Sequence, residues 1–186
     1  RTGKVLEHHF HEKDERNFSV GFVRDIYKDS QGNIWIGGKN NVICFVKEEK
    51  AFRVYDPQPV NSVGELPSCK MLLACSNGLL SLDKNTGEYQ YLLENCFVQD
   101  VVHIDGELWA GTSGEGLVRY DCKDRTVKKY TTESGLSSNY INSVIYEGGH
   151  LWIGTEDGLC RLAIKDKQEC SNLPALPFMS YFFNVS

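Results

Sequence analysis

The stretch LWIGTEDGLC occupies residues 151–160, and LWAGTSGEGLV occupies residues 108–118. Both are rich in glycine, and GTSGEG (111–116) taken alone resembles a loop that cradles phosphate. Such a loop needs a strand before the glycines and a helix after them, whose N-terminus receives the anion. These glycines lead instead into LVRYD (117–121), a strand-like alternation with no helical period. Recurrence decides the matter. A third unit, IWIGG (34–38), and a decayed fourth, MLLACSNGLLSLD (71–83), place Trp35, Leu72, Trp109 and Trp152 at equivalent points. Their spacings of 37, 37 and 43 residues fall in the range of propeller blades.

The flanking segments repeat in phase. FVRDIYKDSQGNIW (22–35), FVQDVVHIDGELW (97–109) and YINSVIYEGGHLW (140–152) each carry a run of β-branched and aromatic residues, then a polar turn. Gly32, Gly106 and Gly149 sit where a tight hairpin demands positive φ. Downstream, NVICFV (41–46), GLLSLD (78–83), GLVRYD (116–121) and GLCRLAI (158–164) read as third strands. AFRVY (51–55), EYQYLL (88–93) and TVKKY (126–130) read as fourth strands. Strands this short cannot bury a face in isolation, but wedges of four packed about an axis can. The expected fold is therefore all-β: a β-propeller segment of about four four-stranded antiparallel blades, an arc of a larger ring.

The expected division is a single propeller segment over residues 1–186. Residues 1–20 hold the last strand of a preceding blade and a linker. Blades are expected at 21–56, 57–95, 96–131 and 132–170, and a further strand or blade starts in 171–186. The blade at 57–95 is degenerate, with its first strand reduced to the proline-bearing PQPVNSVGEL (57–66). KVLEHHF (4–10) reads as a fourth strand arriving from the preceding blade, and PFMSYFF (177–183) as the innermost strand of the next. Open ends of this kind leave apolar surface and unpaired edges, so self-association is expected.

The chain has 186 residues, of which 41% are hydrophobic and 24% charged, an ordinary globular composition. A net charge of −5 and the lack of a basic stripe interleaved with aromatics argue against nucleic acid as a partner. No run approaches the ~20 apolar residues of a membrane span. Any membrane attachment is expected through segments outside this chain, which opens on Arg1 without a signal-peptide pattern and reads as a processed or excised piece. Seven cysteines without a CxxC pair give no zinc spacing. They are either buried free thiols or partners in one or two disulfides; Cys44 and Cys160 lie in apolar runs that favour burial.

The three tryptophans and Leu72 are expected to pack between blades, since leucine preserves packing but would lose stacking on a ligand. His9 and His11 of HHFH (8–11) share a strand face, yet no third ligand is indicated, so no metal is expected. EKDE (12–15) reads as a solvated charge run, and His103 and His150 lie in no nucleophile motif. No catalytic residue and no cofactor is expected. Ligands of propellers dock where loops of one face converge. Chain direction places the second-to-third-strand turns on the same face as the inter-blade connections. That face carries Lys39, Asn40, Ser113, Glu115, Ser138, Asn139, Tyr140, Glu156 and Asp157 as candidate ligand contacts.

The segment YTTESGLSSNYINSVIYEGGHLWIGTEDGLCRL (130–162) resembles the two-component regulator propeller repeat, and the similarity extends over roughly residues 20–165. The resemblance implies the extracytoplasmic sensor region of a hybrid two-component protein, as in carbohydrate-degrading gut bacteria. In that family two seven-bladed propellers usually precede an Ig-like module, a membrane span and a cytoplasmic histidine kinase. It implies a periplasmic or extracellular module, non-catalytic in itself, that senses a glycan or other small extracellular ligand. The alternatives are an extracellular carbohydrate-active enzyme on a propeller scaffold, a lyase or glycosidase, and a protein–protein interaction propeller. The missing tryptophan at Leu72 departs from the family pattern, and four blades are too few for a seven-bladed ring.

Overall fold

The computed structural model describes residue 3 and residues 20–55, 58–164 and 179–181. It is built from four antiparallel sheets of four strands, each following chain order. The first sheet holds β1 (Val23–Lys28), β2 (Ile34–Gly38), β3 (Val42–Val46) and β4 (Ala51–Tyr55). The second holds β5 (Val60–Glu65), β6 (Met71–Cys75), β7 (Gly78–Leu82) and β8 (Tyr89–Glu94). The third holds β9 (Val98–Ile104), β10 (Glu107–Thr112), β11 (Leu117–Asp121) and β12 (Val127–Tyr130). A 3₁₀ turn at Thr132–Ser134 leads to the fourth: β13 (Ile141–Glu147), β14 (His150–Thr155), β15 (Gly158–Ala163) and β16 (Met179–Tyr181). The first strands β1, β5, β9 and β13 contact one another in succession, so they line a common axis. This is an arc of a β-propeller. The hairpin glycines take the backbone the turns require, with φ of 85° at Gly32, 83° at Gly106 and 76° at Gly149.

Two expectations are corrected. PFMSYFF does not begin a next blade: Met179–Tyr181 pairs antiparallel with β15 and forms the outer strand of the fourth sheet. Pairing there satisfies backbone groups of β15 that would otherwise form an unpaired edge. The second blade is also not reduced at its first strand. Val60–Glu65 is a six-residue strand in register with β6, and Pro59 stands just before it, where no ladder donor is needed. The readings placed on KVLEHHF, HHFH and EKDE lie outside the described residues.

Burial explains why the second blade looked decayed. Every residue of β6 and β7 is buried, because that sheet is covered on both faces. Met71, Leu73, Cys75, Leu80 and Leu82 pack toward Trp35, Val42 and Cys44 of the first blade. Leu72, Ala74 and Leu79 pack toward Val98, Val101 and Leu108 of the third. A strand buried on both faces reads as a continuous apolar run rather than an alternation. The third cluster joins Trp109 and Leu117 to Ile141, Val144, Leu151, Ile153 and Cys160 of the fourth blade.

Trp35, Leu72 and Trp109 are thus buried in wedge interfaces, each facing the following blade. Trp35 also stacks on Tyr55 and Trp109 on Tyr130, with ring centroids 5.2 and 5.6 Å apart. Trp152 is only half-buried, with the Arg161 guanidinium over its ring. Cys44 and Cys160 are buried as expected. Cys44, Cys69, Cys75, Cys96 and Cys160 are free thiols; Cys44, Cys75, Cys96 and Cys160 are buried, Cys69 and Cys122 exposed.

Polar ties cross the same interfaces near the axis. Each first strand shifts register once, leaving Arg24, Asn61, Gln99 and Asn142 as bulge residues. The residue after the bulge is Asp25, Ser62, Asp100 and Ser143 in turn. Asp25 Oδ2 accepts from the backbone N–H of Val63 at 2.7 Å. Ser62 Oγ donates to Asp100 Oδ1 at 2.9 Å, and Asp100 Oδ2 accepts from Val144 N at 2.9 Å. Asn61 Nδ2 donates to the carbonyl of Val98 at 2.7 Å.

Candidate ligand-binding face

Because the second strand of each blade runs antiparallel to the first, its far end returns to where the first strand starts. The turns between second and third strands therefore meet the segments that enter each blade, and hydrogen bonds fasten the two. Lys39 N donates to Phe22 O at 3.0 Å, Ser113 N to Phe97 O at 2.9 Å and Glu156 N to Tyr140 O at 3.0 Å. The same bond recurs in three blades at one repeat position. Neighbouring blades are joined here too: Gly114 N and Gly116 N of the third both donate to Asn139 O at the entry to the fourth, and Ser113 bridges Tyr140.

This end gathers the residues singled out from the sequence. Ser113, Asn139, Tyr140 and Glu156 are brought into direct backbone contact, with Glu115 and Asp157 in the same turns. Lys39 and Asn40 form the corresponding turn of the first blade, where Asn40 N donates to Val20 O. Their side chains divide into two groups. Asn139 Oδ1 accepts from Thr132 N at 2.9 Å and Ser138 Oγ from Tyr140 N at 3.1 Å, so both hold the loop together. Glu115 forms a surface ion pair with Lys129. Lys39, Tyr140, Glu156 and Asp157 are exposed.

Further residues belong with Tyr140. Phe22 and Phe97 hold the same repeat position, three residues before Asp25 and Asp100, and all three rings are exposed. In the second blade that position is Pro59. A Cβ at Gly114 would lie 3.7 Å from the Tyr140 ring, so the ring rests over that glycine. Two residues further along each strand come the bulge side chains Arg24, Asn61, Gln99 and Asn142; the Arg24 guanidinium donates to the Asn61 side-chain oxygen. The aligned segments FVRD, FVQD and YINS carry this pattern in plain sight, but apolar residues at a strand start read as core until their exposure is known.

Below the rim, a groove of about 610 Å³ follows the axis between the first strands, lined among others by Tyr27, Glu65, His103 and Tyr146. Burial holds the His103 pKa below its ordinary value, outweighing the opposite pull of Asp105, so the imidazole entering the groove is neutral at pH 7. Among the described residues there is no group of three or more His, Cys, Asp or Glu placed to hold a metal ion.

The most strongly perturbed carboxylate lies at the opposite end of the blades. Asp29 Oδ1 accepts from the backbone N–H groups of Gln31 and Asn33, at 3.0 and 2.8 Å. Its Oδ2 accepts from Trp35 Nε1 and Lys84 Nζ, both at 3.0 Å, and from Asn33 Nδ2. Burial works to raise its pKa, but the hydrogen bonds from Trp35, Lys84 and Asn33 outweigh it and hold the carboxyl at about 2. Lys84 also pairs with Glu65, whose other oxygen accepts from Ser30 N at 2.7 Å. This cluster spends its charges on one another and pins the first blade to the second; nothing in it is directed at a ligand.

A four-bladed propeller arc, with an exposed aromatic and polar rim where its turns converge, is the class of protein these features define. Residues 17–40 and 135–157 match the family model of the two-component regulator propeller. The chain carries repeats of that kind. A curated relative, histidine kinase P4 of Formosa agariphila, is 26% identical over 111 residues, covering 53% of this chain and 8% of its own. Two solved extracellular domains of hybrid two-component systems from B. thetaiotaomicron share the fold. One is 20% identical with a TM-score of 0.68, over 82% of this chain and 24% of the other. The second is 23% identical with a TM-score of 0.65, over 75% and 20%. The chain thus spans a small fraction of the length of each of these proteins. Among the described residues, no helix is long and apolar enough to cross a membrane.

Proposed function

We propose that this chain is a ligand-sensing propeller module from the extracytoplasmic part of a hybrid two-component sensor, with no chemistry of its own. A neutral carbohydrate fragment is the ligand class that the rim suits. The observation that carries this reading is the exposed Phe22, Phe97 and Tyr140 at one repeat position, each two residues before a polar bulge residue, Arg24, Gln99 or Asn142. Aromatic faces pack against the C–H faces of sugar rings, and planar amides and a guanidinium serve hydroxyl groups. The repeat match supports placing the module in a sensor, which resides outside the cytoplasm and is read by a kinase elsewhere in the protein. Binding acts by stabilising one arrangement of the ectodomain over another, in proportion to the difference in affinity for the two.

Titration calorimetry with a panel of neutral oligosaccharides, paired with a turnover assay on the same sugars, tests the reading. Binding without turnover is expected. Tyr140→Ala is expected to weaken it at least tenfold, roughly 1.4 kcal/mol, while leaving the unfolding midpoint in place. Turnover of any bound sugar, or no binding across the panel, would remove the proposal.

A further inference from the structure

The first and third blades present nearly the same face to the blade that follows. In each, a tryptophan stacks on a tyrosine of the outer strand, Trp35 on Tyr55 and Trp109 on Tyr130. In each, a glycine two residues after the tryptophan leaves a socket that the next first strand fills. A Cβ at Gly37 would come within 2.9 Å of Val60 Cγ1, and one at Gly111 within 2.5 Å of Ile141 Cγ2. Val60 and Ile141 are both fully buried there. By these contacts alone the second and fourth blades would be interchangeable partners for either face. Wedges this similar are prone to dock in the wrong order during folding.

One set of positions tells the interfaces apart. Between the first and second blades it holds Asp29, Glu65 and Lys84, whose side chains are 0%, 9% and 10% exposed. Lys84 Nζ donates to Asp29 Oδ2 at 3.0 Å and pairs with Glu65. Ser30 of the first blade donates its backbone N–H and its hydroxyl to Glu65, at 2.7 and 3.0 Å. Between the third and fourth blades the same positions hold Ile104, Tyr146 and Ile164. Ile104 stands four residues after Asp100, as Asp29 does after Asp25, and Tyr146 three after Ser143, as Glu65 does after Ser62. Lys84 and Ile164 each stand two residues after the partner of Met71 or Leu151 in the strand ladder. Ile104 and Ile164 belong to the apolar packing of their interface. Leu66, at the Asp29 position of the second blade, packs into the apolar cluster shared with the third.

We infer that Asp29, Glu65 and Lys84 together select the neighbour, directing the first blade onto the second rather than onto the fourth. The first blade docked on the fourth would press the Asp29 carboxylate against Ile164. The third blade docked on the second would press the Lys84 ammonium against Ile104. Each mismatch leaves an ion out of water with no counter-charge, which costs far more than the matched set gains. A matched buried ion set adds little over apolar side chains that fill the same space. Its effect therefore lies in the difference between right and wrong partners. Selection of this kind acts while the blades dock and depends on no ligand.

Urea unfolding of the full chain, followed by refolding on dilution, tests this. The triple replacement Asp29→Ile/Glu65→Tyr/Lys84→Ile writes the third-to-fourth set into the first interface. Its urea midpoint is expected to equal or exceed that of the wild type. Lys84→Ile alone strands two buried carboxylates and is expected to lower the midpoint sharply. On refolding, the triple variant is expected to return as monomer in about half the wild-type yield or less, the rest sedimenting as misassembled species. The pair Ile104→Asp/Ile164→Lys makes the two interfaces alike from the other side and is expected to lower the yield in the same way. A triple variant that unfolds as early as Lys84→Ile, or that fails to fold, would mean that the set serves stability alone. A wild-type refolding yield in either the triple or the paired variant would mean that it selects nothing, and each of these results overturns the inference.

Discussion

Asp29 shows how one residue couples a hairpin, a tryptophan and a neighbouring blade. Its folded pKa of about 2 lies below the ordinary aspartate value of 3.8. Between those values the unfolded chain binds more protons than the folded one, so stability falls as pH falls. The contribution is complete above about pH 4 and is lost as pH drops through 2, on the order of 2 kcal/mol in all. Urea unfolding from pH 5 to pH 2 is expected to show this decline in the wild type and a shallower one in Asp29→Asn. The same residue separates the tryptophans. Trp35 Nε1 donates to Asp29, whereas Trp109 Nε1 is buried without a partner among the described residues. Four residues after Asp100 stands Ile104, where Asp29 stands four after Asp25, and Ile104 packs with Ile164 beside Trp109. Trp35→Phe removes a bond to a charged acceptor; Trp109→Phe removes an orphan donor. Chemical denaturation is expected to find the first more costly by about 2 kcal/mol, and equal costs would refute this assignment.

At the scale of the element, the unit is a blade strand and the socket it fills. Gly111→Ala would drive a methyl into Ile141, a β-branched side chain that is itself fully buried, and the expected cost is about 1–3 kcal/mol of stability by thermal or urea unfolding. Asp100→Ala removes a carboxylate that joins three blades through Ser62, Val144 and its own strand, and is expected to cost more than Gly111→Ala. Local signals were enough to place the hairpins: turn glycines, a Trp-centred strand and its partner lie close together in the chain. The turn face was legible too, since antiparallel direction alone puts Lys39, Ser113 and Glu156 beside the blade entries. Contacts between distant positions were not. Nothing within FVRD or FVQD indicates that the aspartate serves a backbone N–H in the next blade, and nothing between Ala163 and Met179 repeats, so the outer strand of the fourth blade had no template. Phe22 and Phe97 are not legible as rim residues, because an apolar residue at a strand start has the same spelling whether it is buried or presented to solvent.

At the scale of the whole molecule, the hydrophobic clusters among the described residues each join two neighbouring blades, so stability is a sum of blade and interface contributions rather than one central core. The second blade is covered on both faces, whereas the first and fourth each have one free face among the described residues, and local opening should begin at those blades. The cysteines report on this directly. Cys69 is an exposed free thiol and should alkylate under native conditions. Burial pushes the Cys44 and Cys75 thiols up to about 12, and raises Cys96 as well, so almost no thiolate forms there until the surrounding blade opens. Cys75 lies at the interface of the first and second blades on the doubly covered sheet, and Cys160 lies in the fourth blade. In dilute denaturant, mass-resolved alkylation is expected to label Cys160 ahead of Cys75, with Cys75 tracking the global unfolding transition. Simultaneous labelling of Cys75 and Cys160 at every denaturant concentration would mean that the arc opens as one body, and that its blades do not behave as separable wedges.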